Sequence, residues 1–190
     1  TTDDNPNCLI RVRRCKSDKT NYIELLENDD AVSVHMLRPR RFGKSLFTSM
    51  LACYYDISEK ANFEMLFHDT YIFHHPTSTR NTYYILKFNF SGLTGKHGEV
   101  LEKEFAMVVF DSIKDFINQY HIDLNFSETQ SAARMVPRFF VDIRPYLEDK
   151  KIISSLMNMI ISQMNYYLLI FRSLHLSRIA MVMLEDFMKC

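Results

Sequence analysis

Net charge, paired cysteines and long apolar runs are what this sequence lacks. Lys plus Arg and Asp plus Glu each number 23, so the formal net charge is zero and no global attraction to nucleic acid or to a membrane is indicated. No apolar run reaches membrane-spanning length, and no signal peptide is visible. No internal repeat occurs, so the 190 residues suit one domain, or one domain plus a fragment.

Cysteine is too sparse for a disulfide framework or a zinc site of common spacing. The four cysteines are Cys8, Cys15, Cys53 and Cys190, and no Cys-x-x-Cys pair occurs among them. Cys53 lies in a run that predicts a buried helix. We therefore expect reduced thiols and a cytoplasmic protein.

The apolar patterns that are present predict an α/β domain with a parallel sheet. Hydrophobic residues make up 47% of the chain, enough for a real core. The patterns predict helices at about 22–27, 45–55, 99–120 and 127–147, strands at 31–37 and 82–90, and a helical or irregular piece at 57–73. A capping box at 127–130 would begin the last helix, and Pro137 would interrupt it. The β-α-β order around residues 38–46 favours parallel strands.

The best candidate site is the stretch Arg-Pro-Arg-Arg-Phe-Gly-Lys-Ser-Leu at 38–46. A predicted strand precedes it and a predicted helix follows it, which is the layout of a phosphate-binding P-loop. Arg38 stands where the usual pattern has its first glycine, so the motif is degenerate. The local alternative is a basic surface loop ahead of an ordinary helix.

Each residue of the motif has a physical role in the phosphate-binding interpretation. Gly43 would let the backbone approach the ligand. Lys44 would place its ammonium on the β- and γ-phosphates, and the Ser45 hydroxyl would hold Mg²⁺ bound to the nucleotide. Arg40 and Arg41 would add donors to phosphate oxygens. The expected cofactors are therefore ATP and Mg²⁺.

Three segments together resemble the AAA-ATPase-like family of bacterial proteins. They are Lys-Ser-Asp-Lys-Thr-Asn-Tyr-Ile-Glu-Leu-Leu-Glu at 16–27, the motif at 38–46, and Leu-Lys-Phe-Asn-Phe-Ser-Gly at 86–92. The family replaces the first P-loop glycine as this chain does. The resemblance covers roughly residues 10–151 and implies an AAA-like P-loop NTPase domain of three layers. Many members also carry a PD-(D/E)XK nuclease-like domain, which would be a partner domain in the intact protein.

The resemblance fails where the family has its Walker B strand, just after Lys151. That strand ends in an acidic pair resembling Asp-Glu-Tyr-Asp, yet no carboxylate occurs here between Asp149 and Glu185. No glycine follows Gly98, and six of the eleven methionines lie after residue 152. The plain interpretation is an apolar, methionine-rich core helix.

The genetic code offers a sharper hypothesis for this segment. Codons for residues 156–167, read from each third base, can spell Asp/Asn-Glu-Tyr-Asp and later Asn-Glu-Leu-Leu, which resembles the family's Walker B region. We therefore predict a segment at 1–15, a P-loop domain at 16–151 that lacks its later strands, and an aberrant, frameshifted apolar tail at 152–190.

Three functional hypotheses follow from the sequence. The first is a nucleotide-binding AAA-ATPase-like fragment without hydrolysis, because Walker B is absent. The second is a non-enzymatic module whose basic loops, at 11–19 and 38–44, contact nucleic acid or an acidic protein. The third is a pseudogene product that does not fold stably, with an aggregation-prone run at 166–171.

Overall fold

The computed structural model describes residues 18–28, 33–37, 43–90, 93, 99–127, 131–148, 150–159 and 180–184. Within these ranges the helices are α1 (Asn21–Glu27), α2 (Lys44–Tyr55), α3 (Phe63–Phe67), α4 (Tyr71–His74), α5 (Glu99–Gln119) and α6 (Ala132–Ile143). Two 3₁₀ helices span Ile57–Asn62 and Arg144–Tyr146. The strands are β1 (Ser33–Leu37), β2 (Tyr83–Asn89), β3 (Lys151–Met159) and β4 (Ala180–Leu184).

The four strands form one parallel sheet in the order β1-β4-β3-β2. Leu37 of β1 and Met159 of β3 both pair with Leu184 of β4, and Asn89 of β2 pairs with Met157. The carboxyl ends of the strands therefore lie along one edge of the sheet. The predicted α/β class with a parallel sheet is confirmed, and ligands of such sheets bind at this edge.

Both faces of the sheet are covered by apolar helix surface. Side chains alternate along β2, so Tyr83 and Ile85 pack in one core with α2, while Leu86 and Phe88 pack in another with α5 and α6. β3 divides in the same way, with Ile153 in the first core and Ile152 in the second. Strands buried on both faces read as near-continuous apolar runs, as the first four residues of β2 do.

Helix α5 supplies a large share of the second core. Its apolar residues recur at three and four positions, which buries one stripe of the helix: Leu101, Phe105, Val109, Ile113 and Phe116. Burying one such side chain contributes roughly 1.5–3 kcal/mol. No helix in the described ranges is both long and apolar enough to cross a membrane.

The prediction that later strands are lacking is wrong. β3 and β4 both follow Lys150, and β4 lies between β1 and β3 at the centre of the sheet. The run Ala-Met-Val-Met-Leu of β4 has the continuous apolar character that a central parallel strand needs. The domain boundary at 151–152 and the frameshift stay predictions, because a fold does not report on the reading frame.

The predicted start and interruption of the last helix are also wrong. Helix α6 begins after Ser131, not at the capping box, and it continues through Pro137. Proline removes one backbone hydrogen bond from a helix interior. Burial of Met135, Val136 and Phe139 in the core with α5 offsets that loss.

The expectation of reduced thiols is corrected at one position. Cys53, on α2, is disulfide-bonded, and its partner lies outside the described residues. Cys53 is 2% exposed, so the Cys53 end of the disulfide is buried. Sequence spacing did not indicate this bond, because the bond depends on proximity in the fold and no cysteine lies near Cys53 along the chain.

A buried carboxylate joins three elements at the amino-terminal edge of the sheet. Asp56, which is 3% exposed, accepts hydrogen bonds from Ser58, from Gln119 and from the Tyr120 hydroxyl at 3.0 Å. That hydroxyl in turn accepts the Ile85 N–H of β2 at 2.8 Å. Asp56 also forms a parallel bridge with Tyr83, so the start of β2 is tied to the ends of α2 and α5.

Candidate phosphate-binding site

Helix α2 begins at a glycine in a conformation that other residues disfavour. Gly43 is the N-cap, with φ 75° and ψ 19°, in the left-handed region. A Cβ at this position would meet nothing within 4 Å. Backbone conformation, and not crowding, is therefore what this structure demands of Gly43.

Among the described residues, no side chain caps the backbone donors at the amino terminus of α2. The Gly43 carbonyl accepts the Phe47 N–H at 2.9 Å, which is the first bond of the helix, so the N–H groups of the preceding three residues have no acceptor within it. Glycine at the N-cap provides no side-chain acceptor, and the first turn carries no acidic residue. The positive end of the helix dipole is therefore left for an anion.

Ser45 lies in this first turn with its side chain exposed. The Ser45 carbonyl accepts the Ser49 hydroxyl at 2.8 Å, and this hydrogen bond does not use the Ser45 hydroxyl. A nucleotide-bound cation at this helix end could therefore reach the Ser45 oxygen, which is the type of ligand that Mg²⁺ takes.

Three of the five predicted site residues lie in the described part of the chain, and their predicted role in binding phosphate stays a prediction. Gly43, Lys44 and Ser45 are consecutive at the start of α2, at the edge where the strands end. Arg40 and Arg41 lie outside the described residues, so their predicted contacts with phosphate remain predictions.

Strand β3, where the sequence predicts a Walker B strand, ends at the same edge without an acidic residue. The last residues of β3 are Met157, Asn158 and Met159. One extra residue of β3 is accommodated between Leu156 and Met159, relative to β4. Neighbouring strands of a sheet are about 4.8 Å apart, and β4 lies between β1 and β3. The ends of β1 and β3 are therefore about 9.5 Å apart. The residues of β3 at this edge include no carboxylate.

The far end of α2 is held by a carboxylate that sequence reasoning missed. One oxygen of Glu27, at the end of α1, accepts the Tyr55 hydroxyl at 3.0 Å and the Thr77 hydroxyl at 2.8 Å, and also that of Thr79. The Tyr54 hydroxyl adds a contact with Thr77 at 2.9 Å. Burial, followed by the negative charge of Glu27, raises the pKa of Tyr55 far above its usual value, so this hydroxyl stays a donor. Nothing local in the sequence indicates this network, because its members are 22 to 52 positions apart, except adjacent pairs.

Comparison with protein families decides the classification. Residues 10–170 match the model of a family described as predicted AAA-ATPase. The chain belongs to the AAA-ATPase-like family. No curated protein and no solved structure matches the chain at a significant level.

Membership in the AAA-ATPase-like family supports a general ATPase-like reading of the site. It confirms the family predicted from the three sequence segments. The match includes the candidate loop and β3, and it extends beyond Lys151 to residue 170.

Proposed function

We propose that this chain has a P-loop NTPase fold and binds ATP with Mg²⁺, with the β- and γ-phosphates at the start of α2. The observation that carries the proposal is the uncapped helix terminus at Gly43, at the carboxyl edge of a parallel sheet, in an AAA-ATPase-like chain. The N–H groups of the first turn would donate to the phosphates. Lys44 would add a positive charge, and Arg40 and Arg41 would assist it.

The residues present fit nucleotide binding better than hydrolysis. Ser45 offers one oxygen to Mg²⁺, and bound Mg²⁺ would neutralise charge on the β- and γ-phosphates. ATPases also need an acidic residue to hold Mg²⁺ or orient the attacking water. β3, which ends in Met157, Asn158 and Met159, has none to offer. We therefore expect ATP binding with negligible turnover.

Calorimetric titration of the full chain with ATP and Mg²⁺ tests the binding site. Replacing Lys44 with alanine should weaken ATP binding at least tenfold, because one phosphate-directed charge is lost. Lys87→Ala is the matched control, since Lys87 is an exposed lysine on the far strand β2. Equal heats from the wild type and Lys44→Ala would overturn the site assignment.

Turnover is tested by phosphate release with Asn158→Glu, which places a carboxylate near the end of β3. The wild type should release phosphate at the rate of a Lys44→Ala blank. A gain of hydrolysis in Asn158→Glu that also requires Lys44 would show that a missing carboxylate limits the wild type. Clear Lys44-dependent turnover by the wild type would contradict the proposal.

The frameshift hypothesis has a direct genetic test. Sequencing the gene across the codon for Lys151 should reveal a shifted frame that stays open and reads like the family's Walker B region. A shifted frame that closes at once, or that reads unlike the family, would show that residues 152–190 are the native sequence.

A further inference from the structure

Helix α1 lies along α2, from near the start of α2 to its end. The Tyr22 ring, in the first turn of α1, contacts the Phe47 ring with 6.3 Å between the ring centroids. At the other end, the Tyr55 hydroxyl donates to Glu27, the last residue of α1, at 3.0 Å. Ile23 is 0% exposed and packs in the core with α2. The two helices therefore run in the same direction, and the start of α1 lies beside the candidate phosphate site.

Tyr22 presents an exposed aromatic ring at this position. Its side chain is 44% exposed, although the next residue, Ile23, is completely buried. The Tyr22 ring is perpendicular to the Phe47 ring, an arrangement in which one of the two rings presents its edge. Whichever ring presents its edge, at least one face of the Tyr22 ring is not used by Phe47. An exposed ring face is therefore left for a flat group of a ligand.

Contacts at both ends of α1 fix the backbone that carries this ring. Just before α1, the Thr20 hydroxyl accepts the Ile72 N–H of α4 at 3.1 Å. At the end of α1, Glu27 accepts the hydroxyls of Thr77 and Thr79 in addition to the bond already described. Because the helix is held before any ligand arrives, a contact with its exposed ring costs little conformational entropy.

The spacing along α2 places the ring close to the first turn of that helix. Phe47 follows Gly43 by four residues, which is a rise of about 6 Å along the helix axis. Long side chains of a helix lean back towards its amino terminus, so the Phe47 ring and the adjacent Tyr22 ring lie near the proposed phosphates. Only the α-phosphate and the ribose separate the base of ATP from its β-phosphate, so the base must lie near this turn as well.

The other exposed tyrosines of the described ranges lie elsewhere. The Tyr71 ring stacks on His75 with 4.4 Å between the ring centroids. Tyr146 follows α6, which packs on the opposite face of the sheet from α2. Tyr22 is therefore the exposed tyrosine that is placed to meet a nucleotide bound at the start of α2.

We propose that the Tyr22 ring stacks on the base of the bound nucleoside triphosphate. This inference rests on the proposed function and adds a position for the base to it. Stacking on an aromatic ring is open to every base, because every base has a π-face. Tyr22 therefore contributes affinity for a nucleoside triphosphate over a bare triphosphate chain.

Calorimetric titration of the full chain with Mg²⁺ and either ATP or inorganic tripolyphosphate tests the proposal. Tyr22→Ala should weaken ATP binding about tenfold, through loss of the stacked ring, and should leave tripolyphosphate binding unchanged. Tyr22→Phe keeps the ring and should bind ATP as the wild type does. Tyr146→Ala removes a tyrosine of similar exposure, at 41%, and is the matched control that should change neither ligand. Circular dichroism of each variant checks that the fold is retained.

The two ligands separate failure of this inference from failure of the proposed function. A wild type that binds neither ATP nor tripolyphosphate would overturn the proposed function and the role of Tyr22 with it. If the wild type binds both and Tyr22→Ala binds ATP equally well, only the role of Tyr22 is overturned. Equal weakening of both ligands in Tyr22→Ala would mean that Tyr22 acts by supporting Phe47 and the start of α2. An equal loss of ATP binding in Tyr22→Phe and Tyr22→Ala would assign the contact to the hydroxyl, against stacking.

Discussion

At the scale of single residues, the Tyr120 hydroxyl has an unusually large structural role. It accepts the Ile85 N–H and donates to Asp56, so it satisfies one buried donor and one buried carboxylate. Burial, followed by the charge of Asp56, raises the pKa of Tyr120 far above its usual value, and the hydroxyl therefore stays protonated. We predict that Tyr120→Phe lowers the free energy of unfolding by about 1–3 kcal/mol, because the Ile85 N–H loses its partner.

Urea denaturation measures this loss, with Tyr146→Phe as the control. Tyr146 is 41% exposed, and its hydroxyl makes no hydrogen bond with the described residues, so its replacement should change stability by less than about 0.5 kcal/mol. Equal midpoints for the two variants would show that the Tyr120 hydroxyl has no role in holding β2.

Asp18 gives the fold a defined dependence on acid pH. Burial alone would raise the pKa of Asp18, but hydrogen bonds from Thr20 and Tyr71 outweigh it and hold the pKa below its ordinary value. A carboxyl group with a depressed folded pKa stabilises the fold above its unfolded pKa, about 3.9, and this stability is lost as pH falls through the folded value. The wild type should therefore be more stable than Asp18→Asn at pH 6.

The stability difference between these two proteins, followed by urea denaturation from pH 6 to pH 2, should close only below about pH 4. The matched control is Asp111→Asn, an equal charge change at an exposed position of α5. A difference for Asp18→Asn that stays constant down to pH 2 would refute the assignment.

At the scale of elements, the junction of the candidate loop with α2 depends on one backbone conformation. Alanine at position 43 would have free space but an unfavourable left-handed φ, which costs about 1–2 kcal/mol. Asparagine tolerates that conformation better, so Gly43→Asn should be destabilised less than Gly43→Ala. Urea midpoints of the two variants check the order. The reverse order would mean that side-chain space, and not φ, is limiting.

The elements that could be predicted from the sequence are those whose local pattern agrees with their burial. The alternation of β2 and the three-and-four spacing of α5 predicted both elements to within one residue at each end. Gly43 was predicted to allow close approach of a ligand, whereas its left-handed φ is a second reason for glycine that the sequence pattern did not indicate. Helix α6 was predicted less well, since tertiary burial of Phe139 and its neighbours overrides the local effect of Pro137.

At the scale of the whole molecule, the parts that sequence could not predict are those made by distant segments. Glu27 meets Thr77 and Thr79 across 50 residues or more, and no spacing rule connects them. β4 likewise enters between β1 and β3 although 20 residues separate it from β3. The sequence prediction placed the apolar run of β4 in an aberrant tail, because the acidic residues of the expected Walker B strand are missing. Missing acidic residues bear on catalysis, whereas strand formation depends on the apolar pattern.

The central position of β4 makes the whole sheet sensitive to its backbone. Val182 pairs with His35 of β1 on one side and with Leu156 of β3 on the other. Proline at 182 would remove a ladder hydrogen bond in a strand that is paired along both edges, and the carbonyl left without its donor costs about 1–3 kcal/mol. Domains are stable by only about 5–15 kcal/mol, so this one change removes a large share of the total.

We therefore expect the wild type to show a cooperative thermal transition by circular dichroism and Val182→Pro to show a much lower or absent one. Val182→Ala keeps the backbone N–H and separates the ladder from the side chain, so it should remain cooperative. A wild type without a cooperative transition would favour the unstable pseudogene product over the nucleotide-binding domain. A Val182→Pro variant that melts like the wild type would instead place β4 outside the sheet, and β1 would then lack the neighbour that joins the candidate phosphate site to β3.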